Sequence, residues 1–154
     1  MQDSTKDTLA HRQMVVDFAT DFCSDIMDRA ERHDESKLHE PEKERFDYVG
    51  THQHLSKHEY GSDEYKKSLE YLGPALDHHY QVNDHHPQHF ENGVDGMNLM
   101  QLVEMWCDWC AACKRNKGGN IRQSLEVNKD RFGLSDQLYS ILLNTAEAMD
   151  NGVA

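Results

Sequence analysis

The chain has 154 residues, 37% of them hydrophobic and 8% aromatic, enough for one folded domain over residues 1–154. Sixteen basic against 28 acidic residues give a net charge of −12 with neutral histidine, which excludes general nucleic-acid binding, because phosphate backbones need a basic face. No run approaches 18 apolar residues, so no membrane span is expected.

The segment MQDSTKDTLAHRQ lacks a basic stretch followed by an apolar core, so no secretory signal is expected. Residues 5–31 read as a first helix, with Val15, Phe18, Phe22 and Ile26 on one stripe and His11 on the same face. Residues 36–49 read as a second, charged helix, and 50–61, bounded by Gly50 and Gly61, as a loop. Ser62 caps a helix that Gly73-Pro74 is expected to break, with Pro74 opening the next one. That helix carries His78 and His79 and should fail before His86, because Pro87 disfavours helical geometry in the residue preceding it. Residues 91–97 read as a loop. Asn98 and Gln101 form a capping box for a helix of 99–116, which Lys117-Gly118-Gly119 ends. Asn120 and Ser135 cap two last helices, 121–131 and 136–149. The fold class expected is all-α, a bundle of about six helices around a buried helix 99–116.

Histidine is the unusual component. Eleven in 154 is about three times an average share of roughly 2%. Five fall in the run from His78 to His89, too many to explain by packing. Protonated together they would repel; buried and neutral they would need partners. Metal ligation answers both, and a surface histidine patch is the plainer alternative. With the helix broken near Asn83, His85 or His86 can fold back toward His79. His52, His54 and His58 read as surface histidines beside Lys57.

Two further groups carry potential chemistry. In His33-Asp34-Glu35-Ser36-Lys37, an adjacent imidazole and carboxylate can share a divalent ion, and Lys37 can meet a phosphate. The alternative is a helix-end histidine beside a solvated acid. In the helix 99–116, Glu104 and Asp108 share a face at i and i+4. A buried carboxylate there needs a cation or several donors, and the alternative is an ion pair with an arginine. Cys107, Cys110 and Cys113 imitate an iron–sulfur spacing. On a helix, however, they fan through about 240°, so they read as packing residues. With Cys23 they suggest a reduced, cytoplasmic chain and not a disulfide framework.

Taken in order, His11, His33-Asp34, the histidine run and Asp108 resemble the H…HD…D ligand order of the HD-domain superfamily of metal-dependent phosphohydrolases. More narrowly, YGSDEYK, HHYQVNDHHPQHF, MNLMQLVEMWCDWCAA and RFGLSDQLYSILLNT resemble blocks of an uncharacterised phage and bacterial family of HD-like proteins. The resemblance implies an HD-like bundle with metal on His11, His33, Asp34 and Asp108, and with His79 and His85 or His86 as additional ligands. It implies one or two divalent transition ions, Mn, Fe, Co, Ni or Zn. The expected activity is hydrolysis of a small phosphorylated substrate, a nucleotide or other phosphate ester, by a metal-activated water. Asp34 and Lys37 serve catalysis, and Arg131, beside Phe132, is the best candidate to complete an anion site. An oligomer is compatible with this reading. Two rivals stand beside it: an HD-fold dinuclear iron oxygenase using the same ligands, and a non-catalytic, metal-stabilised interaction module.

Overall fold

The computed structural model describes residues 3–51, 63–115 and 118–150. Among them the protein is all-α, with six α-helices, three short 3-10 turns and no strand. The chain divides into two compact units, Met1–His33 and Asp34–Ala154.

The first unit is one long helix, α1 (Thr5–Glu31), as its apolar spacing predicts. A unit of one helix has no second face to bury a stripe against. Val15 and Phe18 are exposed and Phe22 and Ile26 half-buried.

The second unit opens at Asp34, which caps a 3-10 turn, Glu35–Leu38, and leads to α2 (Lys43–Thr51). The charged helix expected over 36–49 is therefore two pieces. Pro41 stands between them, and a proline has no N–H to give a helix and keeps the residue before it out of helical geometry.

The long helix α3 spans Asp63–Val82 and runs through Pro74, where a break was expected. Tertiary contacts outweigh the local breaker. Val49, Leu72 and Ala75 form a buried cluster flanked by Phe46, Tyr71 and Leu76, which packs α2 against α3 on both sides of the proline. Arg45 adds a bond from its guanidinium to the Tyr71 carbonyl, one turn ahead of Pro74, and lies over the Tyr71 ring. The loop 50–61, the Ser62 cap, the three histidines 52, 54 and 58, and Lys117 fall wholly or mainly outside the described residues.

α3 stops at Val82, and the chain continues through 3-10 turns at Pro87–His89 and Gly93–Gly96. Gly96 lies against Phe90, where an added Cβ would come within 2.8 Å of the Phe90 Cβ. Three helices follow: α4 (Leu99–Arg115), α5 (Ile121–Phe132) and α6 (Asp136–Asp150). Their starts are set by side chains named in the sequence. The Asn98 amide donates to Gln101 Oε1 (2.8 Å) and the Gln101 amide to Asn98 Oδ1 (3.1 Å), a reciprocal capping box. Asn120 Oδ1 accepts from the amides of Arg122 and Gln123, and Ser135 Oγ from that of Leu138. Val94, Trp106, Leu125, Leu134, Leu142 and Ala146 make the core of this part. Burial of α4 is one-sided: Gln101, Glu104, Met105 and Trp106 are buried, while Cys107 is exposed.

Candidate metal centre

The centre is assembled in the second unit from the start of the unit, the end of α3 and the turn after it. His79 lies in the last turn of α3 and is buried. Asn83 closes that turn, its amide and its side-chain Nδ2 both donating to the His79 carbonyl at 3.0 and 2.9 Å. The chain then reverses. His86 takes an extended conformation (φ −99°, ψ 132°), as a residue before proline should. The reversal returns both His85 and His86 to His79, where the sequence left the choice between them open.

The ring nitrogens His79 Nε2 and His86 Nε2 lie 2.8 Å apart. Asp34 Oδ1 stands 3.2 Å from His79 Nε2 and 3.5 Å from His85 Nε2. One ligand atom from each of Asp34, His79, His85 and His86 lies within 4.8 Å of all the others. Imidazole nitrogens this close need a proton between them or a cation to share, so the group can hold a metal ion.

Asp34, His79 and His85 are braced from behind. Asp34 sits in left-handed backbone (φ 59°), and its Oδ2 accepts from Lys37 Nζ at 2.7 Å. Burial pushes its carboxyl up, but its contacts with His79 and His85 and the Lys37 ammonium outweigh that and hold it well below the usual carboxylate range. Glu42, fully buried, lies 2.9 Å from His79 Nδ1 and 2.8 Å from His78 Nδ1, and accepts from Ser36 Oγ at 3.0 Å. Those contacts overcome burial and keep its carboxyl below the ordinary value. Glu104 of α4 lies 3.2 Å from His85 Nδ1. Burial, together with the neighbouring His85 and His79, pushes His86 down to about 3.

Asp108 is half-buried on α4, one turn beyond Glu104, and its charge acts on His86. Glu104, on the same face, meets His85 of the group. Lys37, expected to face a phosphate, is paired with Asp34 and lies over the Phe46 ring. His78 is turned to Glu42, and His89 Nδ1 meets the Tyr80 carbonyl. Arg131 is exposed on α5 and stacks on Phe132, which itself stacks on Trp109. His11 is exposed on α1, and His33 closes the first unit. The cysteines are free; Cys110 packs against the core, and burial pushes its thiol up to about 11, the opposite of a thiolate ligand.

Glu42 was not singled out from the sequence. It stands in the acid-rich run His39-Glu40-Pro41-Glu42-Lys43-Glu44, where nothing separates it from its solvated neighbours. The available signal was indirect: two adjacent histidines on one helix, His78 and His79, require an acceptor. A model of the family of unknown function DUF5662 matches residues 1–148. No curated protein and no solved structure matches the chain.

Proposed function

The chain belongs to DUF5662, and for it we propose a metal-dependent phosphohydrolase of the HD type that acts on a nucleotide or another small phosphate ester. The observation that carries this reading is the convergence of Asp34, His79, His85 and His86 on one point. Three imidazoles and a carboxylate suit manganese, iron, cobalt, nickel or zinc better than calcium. A bound ion of this kind supplies Lewis acidity toward phosphate oxygens and a lowered pKa for a coordinated water. The chain's own residues do the rest. Asp34 supplies the anionic ligand, and Lys37, held at 2.7 Å from it, fixes that carboxylate and places a positive charge beside the site. The buried rings of His79 and His85 limit access of bulk water to the group. The free cysteines fit a reducing compartment such as the cytoplasm.

The test is metal analysis of protein purified without a histidine tag, followed by a phosphate-release screen on nucleotides. At least one transition ion per chain is expected, with sharp loss in His79→Ala and His86→Ala. Phosphate release should depend on added metal and vanish in Asp34→Asn. Full metal occupancy in both alanine variants would remove these histidines from the ligand set. Metal-dependent oxygen uptake without phosphate release would replace the hydrolase with an oxygenase.

A further inference from the structure

We infer that Glu42 is a positioning residue that selects which histidine, and which nitrogen of it, enters the metal group. The inference rests on the metal reading above and deepens it. His78 and His79 are neighbours on α3, so both rings start from the same end of the same helix. The two oxygens of Glu42 divide them: Oε1 takes His78 Nδ1 at 2.8 Å and Oε2 takes His79 Nδ1 at 2.9 Å. An ionised carboxylate can only accept hydrogen bonds. Each ring therefore carries its proton on Nδ1 and donates it to Glu42.

For His79 this leaves Nε2 bare, and Nε2 is the atom that lies 2.8 Å from His86 Nε2 and 3.2 Å from Asp34 Oδ1. Had the proton sat on Nε2, the ring would offer the group a donor where a ligand needs a lone pair. A carboxylate behind a ligating imidazole is the usual means of fixing tautomer and ring orientation. Glu42 is itself held in place. It is fully buried, Ser36 Oγ donates to Oε2 at 3.0 Å, and Asn83 Nδ2 donates to Ser36 Oγ at 2.8 Å. His85 has its own carboxylate, Glu104, 3.2 Å from Nδ1. Glu42 holds two adjacent rings, one on each oxygen.

Glu42→Gln keeps the shape and replaces one acceptor oxygen with an NH2 donor, so one of the two Nδ1–H groups loses its acceptor. The experiment combines cobalt(II) titration with long-range 1H–15N spectra of the histidine rings in EDTA-treated protein. In the wild type the His79 proton should reside on Nδ1. In Glu42→Gln that tautomer should be lost in favour of a mixture, and cobalt affinity should fall roughly 10–100-fold. A wild-type His79 protonated on Nε2 would overturn the inference, and this measurement stands even if the variant does not fold. Unchanged cobalt affinity in a folded Glu42→Gln protein would overturn it as well. Failure of the wild type to take up cobalt would instead sink the metal reading, and the tautomer would then decide by itself whether Glu42 holds the ring.

Discussion

The closest approach in the group is 2.8 Å, between His79 Nε2 and His86 Nε2. Without an ion, burial above all, and then the neighbouring His85 and His79, push His86 from 6.5 to about 3. An unfolded chain takes up that proton near pH 6.5, while the folded chain refuses it until about 3. The folded state then binds fewer protons over that window, so its stability falls as pH falls. Asp34 adds to this at lower pH. Its depressed carboxyl contributes stability above its unfolded value of 3.8 that is lost as pH falls through the folded value. EDTA-treated protein should therefore melt at a lower temperature at pH 4.5 than at pH 6.5. His86→Gln should flatten that slope by removing on the order of a few kcal/mol of the dependence. Parallel melting curves for wild type and variant across the window would show that His86 does not titrate in this way.

Gln101 connects two elements, the start of α4 and the turn that carries the histidines. Its Oε1 accepts from the Asn98 amide, while its Nε2 donates to Asp84 Oδ2 at 2.7 Å, one residue before His85. Replacing Gln101 with Glu preserves the capping acceptor, since glutamate serves that position equally well, but sets a carboxylate against Asp84. The expected result is a loss of about 1–3 kcal/mol with α4 intact by circular dichroism, together with weaker cobalt binding because the turn before His85 loses its tether. Wild-type affinity in Gln101→Glu would mean that the turn holds its shape without α4. The same contrast explains what could be read from the sequence. The starts of α4, α5 and α6 were legible because Asn98, Gln101, Asn120 and Ser135 act within three residues of themselves. The return of the chain after Asn83 was legible from Pro87. The passage of α3 through Pro74 was not, because it depends on Val49, Phe46 and Arg45, which reach it from α2. Glu42 was hidden for the same reason: its burial comes from α3 and the 3-10 turn packing around it, and no local pattern carries that.

Among the described residues, the second unit holds two apolar clusters, one between α2 and α3 and one among α4, α5 and α6. The metal group draws Asp34, His79, His85 and His86 from the part containing α3, and Glu104 reaches His85 from α4. An ion bound there holds only the folded arrangement, because an unfolded chain does not assemble these atoms. It should then stabilise by mass action, about 2.7 kcal/mol at a free concentration one hundred times Kd. Cobalt or zinc should raise the melting temperature of EDTA-treated protein in proportion to the logarithm of its concentration. Leu125 provides the control. It is fully buried in the α4–α6 cluster and does not belong to the group, so Leu125→Ala should cost about 2–5 kcal/mol through the cavity it leaves. Sites without shared partners add, so the metal-induced shift should persist almost unchanged on top of that loss. If Leu125→Ala lowered the melting temperature and abolished the shift together, the two clusters would be one cooperative network and the group would need the whole α4–α6 core to form. If the wild type showed no shift at saturating cobalt and zinc, the converging imidazoles would be sharing protons and not ions.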